Sequence, residues 1–205
     1  MGFFGGVFGP SREEVWKELC TRIGADFVEG GFWKGDKVQA QFKNWTITLD
    51  TYTVSTGHAH QTFTRIRAPF VSRDELRFRI YRKTAFSDLG KTMLGMQDIE
   101  VGHSARFDED FIIQGNDESK IRALFASPEV RRLIEEQPKI RLELRDDEGL
   151  FHKLYPEGVD ALYFQVPGVI KDVEQLKQLF DLFAEVLEEL HRIGTASEEK
   201  PGVSL

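Results

Sequence analysis

Between Ala25 and Lys83 the apolar residues recur at every second position, and the segments that carry this pattern are joined by very short connections. Phe27-Val28 through Phe32-Trp33, Val38–Phe42, Trp45–Val54, Thr62–Ala68 and Leu76–Lys83 read as five strands. Gly30-Gly31, Gly35-Asp36, Lys43-Asn44, Ser55-Thr56-Gly57 and Ser72-Arg73-Asp74 supply the turns. Parallel neighbours need a crossover of about a dozen residues, so connections this short dictate antiparallel pairing. Within Trp45–Val54, Trp45, Ile47 and Leu49 share one face, and Thr46, Thr48 and Asp50 share the other.

Helical periods flank this region. Ser11-Arg12-Glu13-Glu14 is a capping box. Trp16, Leu19, Cys20 and Ile23 follow on one face, and Gly24 suits the left-handed residue past the end. Phe111-Ile112-Ile113 reads as a short buried strand, preceded by Asp108, Glu109 and Asp110 alternating across its start. Asn116 or Asp117 then caps a helix carrying Ile121, Leu124 and Phe125, and Ser127-Pro128 caps a second that Gln137-Pro138 stops. Lys139–Arg145, Leu150–Leu154 and Val159–Val166 read as further strands, with turns at 146–149 and 156–158. Asp172 and Gln175 open a helix of roughly 22 residues, about 33 Å long. Its apolar positions Val173, Leu176, Phe180, Phe183, Leu187 and Leu190 recur as a heptad seam, widened by Leu179, Leu182, Val186 and Ile193. The expected fold is α+β: a mostly antiparallel sheet of about seven to nine strands, a capped N-terminal helix, a central helix pair and a long C-terminal helix. A flexible Gly/Phe-rich arm (1–10) and a disordered tail (195–205) are expected to flank a single domain over 11–194. A seam that packs on the chain's own sheet makes the protein a monomer; the alternative is a dimer through the C-terminal helix.

Charge narrows the partners. The net charge of −7 argues against general nucleic-acid binding, but it is unevenly spread. Residues 106–205 hold 13 Lys/Arg against 22 Asp/Glu, whereas residues 58–83 hold seven Lys/Arg against only Asp74 and Glu75. In that basic stretch Arg65 and Arg67 fall on one strand face, as do Arg77 and Arg79 on the next strand. If the two strands form a hairpin, four guanidiniums create a patch suited to bidentate grip on phosphate or carboxylate. An acidic protein segment or an anionic membrane surface is the expected partner. Phe3, Phe4 and Phe8 in the N-terminal arm are available to dip into a bilayer interface.

Other motifs carry less chemistry. Ala85–Thr92, with Gly90, Lys91 and Thr92 at its end, fits a relaxed phosphate-binding loop and is the basis of the alternative reading, a nucleotide hydrolase. Its interior Phe-Ser-Asp-Leu lacks the glycines that let backbone N–H groups cradle phosphate, and Asp88 repels one. His58 and His60 straddle Ala59 with no converging third ligand, so no metal is expected, nor any cofactor. Cys20, the single cysteine, excludes an internal disulfide and reads as a buried thiol in a reducing compartment. No run approaches the roughly 18 to 20 apolar residues of a membrane span, so the expected location is cytoplasmic or membrane-peripheral.

The segments Trp45–Tyr52, Thr64–Phe70, Gly95–Gly102 and Phe107–Glu118 together resemble a family of bacterial proteins known only as a domain of unknown function. The resemblance extends over nearly the whole chain, including the Val169–Leu190 helix. It implies a bacterial cytoplasmic or peripheral membrane protein and transfers no catalytic or binding residue. The resulting expectation is a non-catalytic binding or scaffold domain with a basic sheet face at Arg65, Arg67, Arg77 and Arg79.

Overall fold

The computed structural model describes residues 9–31, 35–57, 59–84, 96–147 and 154–205. Ser11 opens α1 (Arg12–Ile23): its hydroxyl accepts the Glu14 N–H, and the Glu14 carboxylate accepts the Ser11 N–H, as the capping box requires. Gly24 ends the helix at φ 67°, a left-handed conformation that glycine adopts without a Cβ penalty. Then come β1 (Asp26–Val28), β2 (Lys37–Phe42), β3 (Trp45–Thr56) and β4 (Ala59–Val71), each paired antiparallel with the one before. The chain continues through β5 (Phe78–Arg82), β6 (Gln97–Asp98), α2 (Ala105–Asp110), β7 (Phe111–Gly115), α3 (Glu118–Leu124) and α4 (Pro128–Glu135). It finishes with β8 (Arg141–Arg145), β9 (Val159–Pro167) and α5 (Val173–Arg192). The fold is α+β. Asp117 and Ser127 cap α3 and α4, and Asp172 accepts the Gln175 N–H at the start of α5.

The strands form one nine-stranded sheet in the order β1-β2-β3-β4-β9-β8-β5-β7-β6, with every neighbouring pair antiparallel. Its central strand β9 is buried along Val159–Phe164, as a strand covered on both sides must be. Alternation gives the helices one face of the sheet. Leu49, Ile66, Phe164, Leu142 and Ile80 stand in one cross-strand line and share the main apolar cluster with Trp16, Ile121, Leu133 and Phe183. The α5 stripe from Leu176 to Leu190 is buried within the chain itself. Gly115 marks the tightest approach: a Cβ there would stand 2.0 Å from Ile121 Cδ1, so α3 packs onto β7 only because that side chain is missing.

Three expectations need correction. The β4–β5 hairpin does not form. Both edges of β4 are taken, by β3 and by β9, and β5 pairs instead with β8 and β7. The short connection is diverted where Ser72 donates to the Gly158 carbonyl and Arg73 to the Thr195 carbonyl. Asp108, Glu109 and Asp110 lie in α2 rather than at a strand start. Ser104 caps that helix and Phe107 turns into the core, while the Asp108 carboxylate accepts the Val101 and Gly102 N–H groups. The tail from Thr195 onward is packed rather than disordered. Thr195, Ala196 and Ser197 are buried, and the Ser197 N–H donates to the Val71 carbonyl, so this stretch completes the rim of the core. Part of the expected Leu150–Leu154 strand lies outside the described residues.

Candidate functional site

The sheet face opposite the helices carries an ordered array of polar side chains. Directly paired residues stand on the same face, so register alone places Thr48, Arg67, Tyr163, Glu143, Arg79, Gln114 and Asp98 in one line. Much of this line is closed to solvent: Tyr163 is fully buried, Glu143 3% exposed and Arg67 5% exposed. Charges this deep persist only when paired. Asp50 takes Arg65 through both oxygens, Nε at 2.8 Å and Nη2 at 2.7 Å, and also Arg67 Nη2 at 2.7 Å. Glu143 stands among three guanidiniums: Arg79 Nε at 3.0 Å, Arg141 Nε at 3.1 Å and Arg145 Nη1 at 3.6 Å. Arg145 also meets Asp147 at 2.9 Å. Five arginines against Asp50, Glu143, Asp147 and, at the β6 end, Asp98 leave this array with one cation in excess.

Aromatic side chains brace the cations. Arg65 lies 4.8 Å over the Tyr52 ring, and Arg145 lies 4.7 Å over Tyr163. Both tyrosine hydroxyls donate to Gln165 Oε1, at 2.6 Å and 2.9 Å. Burial, reinforced by Tyr163, pushes the Tyr52 hydroxyl far above the ordinary tyrosine range, so it serves as a hydrogen-bond donor and not as a base. Burial works against the charge on Arg65, but Asp50 outweighs it and the guanidinium is held more firmly protonated. Guanidiniums held in this way can neutralise an anion.

The four arginines expected to act together are separated. Arg65 and Arg67 share Asp50 beside a pocket of about 520 Å³ that is also lined by Lys37, Thr51, Glu29 and Leu205. Arg79 sits on β5, three strand spacings or roughly 14 Å from β4, and faces Glu143. Arg77 turns away to Asp160 at 2.9 Å and Asp146 at 3.5 Å, beside a different pocket that Tyr155 and Glu157 also line. Gly90, Lys91, Thr92, His58 and the phenylalanines of the N-terminal arm lie outside the described residues. Among the described residues no group of three or more His, Cys, Asp or Glu side chains is placed to hold a metal ion. Burial, with Asp26 nearby, raises the half-buried Cys20 thiol above its ordinary range, the opposite of what a nucleophile needs.

Lys37, Asp50, Tyr52, Tyr163, Gln165 and Glu143 escape sequence reasoning because only register across the sheet assembles them. One signal is present in advance. Tyr163 and Gln165 interrupt the otherwise apolar stretch 161–166 in the strand that becomes the middle of the sheet.

No family model matches the chain, and no curated protein matches it. The crystal structure of the mycobacterial trehalose monomycolate transport factor A, TtfA, is similar in fold. The TM-score is 0.54 over 91% of this chain and 97% of that one, at 9% sequence identity. At that identity the likeness concerns the fold alone. Among the described residues no helix is long and apolar enough to cross a membrane.

Proposed function

We propose that the protein is a non-catalytic binding domain that holds a carboxylate- or phosphate-bearing segment of an acidic protein partner. The site is the pocket at Lys37, Arg65 and Arg67. The observation that carries this reading is the pocket itself: three cationic side chains against two carboxylates, Asp50 and Glu29, on the sheet face without helices. Arg65 is pre-oriented by its two bonds to Asp50 and by Tyr52 beneath it, so an incoming anion meets a guanidinium whose ordering is already complete. A monomer is the proposed state, because the α5 seam is consumed inside the chain.

The test is fluorescence anisotropy of a labelled glutamate-rich peptide, with pelleting on phosphatidylserine vesicles as the parallel arm. Wild type should bind the peptide weakly and lose affinity as the Debye length falls to about 8 Å at 0.15 M salt. Lys37→Glu/Arg65→Glu should lose at least about tenfold, or ~1.4 kcal/mol. Equal binding by both forms would overturn the assignment of the site. Pelleting on vesicles without peptide binding would transfer the surface from a protein to a membrane.

A further inference from the structure

Ser204 and Leu205 of the chain's own tail line the pocket at Lys37. Residues 195–197 are anchored by backbone bonds, from Thr195 and Ala196 N–H to the Leu190 carbonyl and from Ser197 N–H to the Val71 carbonyl. Beyond Ser197 the character of the contact changes. Asn44 Nδ2 donates to the Glu198 carbonyl at 2.7 Å and the Lys37 ammonium donates to the Leu205 oxygen. Among the described residues no backbone-to-backbone hydrogen bond ties 198–205 to a strand. Pro201, Val203 and Leu205 are half-buried, whereas Gly202 and Ser204 are exposed, the alternation of an extended segment lying on a surface. Val203 and Leu205 pack on the small apolar cluster of Tyr155, Val159 and Ala161. A second pocket, of about 270 Å³, is lined by Gln41, Thr46 and Pro69 of the sheet and by residues 200–204 of the tail.

We infer that this part of the sheet face is a groove for an extended peptide, and that residues 198–205 are its intramolecular occupant. The inference rests on the anion-binding reading of the same site and specifies the partner. It is a segment with aliphatic side chains at alternate positions, seated where Val203 and Leu205 sit, that offers an oxygen acceptor to Lys37. Apolar anchors spaced by two, with an oxygen acceptor at the second, are what residues 203–205 present. A tail tethered at Ser197 competes at high effective concentration, so a free segment binds poorly until the tail leaves. The firm anchor followed by a lightly bonded strap is the arrangement that permits exchange without unfolding the core.

The test uses the full chain and a fluorescent peptide with the sequence of residues 198–205. In Val203→Asn/Leu205→Asn the tail loses its apolar seat without gaining charge while Thr195–Ser197 stay anchored, and the peptide should bind at least about tenfold tighter than it does to wild type, equivalent to ~1.4 kcal/mol. Adding Lys37→Glu should remove that gain. As a second readout, saturating peptide should accelerate amide exchange of wild-type residues 198–205 and leave β3 and β4 unchanged, which also reports that the protein remains folded. Affinities within twofold for wild type and the tail variant, together with unchanged exchange, would overturn the groove. Binding of the glutamate-rich peptide is scored separately. If Lys37→Glu/Arg65→Glu abolishes it while the tail peptide binds neither form, the anion site stands and the groove falls. If only the tail peptide binds, the reverse holds.

Discussion

The two faces of this sheet are built from the same strands and follow opposite rules. On the helix face, Leu49, Ile66, Phe164 and Phe183 are held by shape, and any atom removed leaves a void. On the other face, Arg65, Arg67, Arg79 and Glu143 are nearly as deep but are held by pairing, and what matters there is whether each charge keeps its partner. A strand's period of two makes this division automatic. It also means that a change at one position of β4 tests packing, and a change at the next tests electrostatics.

The largest expected effect lies on the packed face. Phe183→Ala empties a fully buried aromatic site between α5 and the sheet and should cost about 3 to 5 kcal/mol in denaturant unfolding. A cost below about 1 kcal/mol would show that α5 does not close the core. Glu143→Ala should cost about 3 kcal/mol, because it removes the deeply buried carboxylate that Arg79 and Arg141 meet at 3.0 Å and 3.1 Å. A small effect there would erase the contrast between the two faces.

A smaller effect sits where the faces meet. Asp74 accepts from the Leu76 N–H and the Thr195 hydroxyl and pairs with Lys120, joining the β4–β5 connection, α3 and the base of the tail. Burial opposes its charge, but these partners outweigh it and hold the carboxyl below its ordinary value of 3.8. Asp74 therefore contributes fully above the ordinary carboxylate range, and its contribution disappears as the pH falls through the depressed native value. Asp74→Asn should lower Tm near pH 6, and the gap to wild type should close on acidification toward about pH 3. A gap that widens in acid would contradict the assignment.

Local signals carry much of this fold. The Ser11–Glu14 cap, the Asp117 and Ser127 caps and the alternation in Trp45–Leu49 are written in neighbouring residues, and the structure follows them. The pairing of β4 with β9 joins residues about a hundred positions apart, and nothing near Thr64 or Val166 announces it. The expected four-arginine patch failed for that reason. Strand faces were legible, but which strand lies beside which was not, and two strands separate Arg67 from Arg79. Only Arg65 and Arg67 stay together, because both reach the single carboxylate of Asp50 on β3. The tail escaped notice because its composition is polar, while its seat is created by β2, β3, β4 and the start of β9.

The most direct measurement is amide chemical-shift mapping of the intact chain during titration with the glutamate-rich peptide at low salt. If the face without helices is the binding surface, shifts should cluster at 28–31, 37, 50–51, 65–67 and 203–205, and should vanish in Arg65→Glu. Shifts centred on the α-helices, or an unchanged pattern in Arg65→Glu, would contradict it.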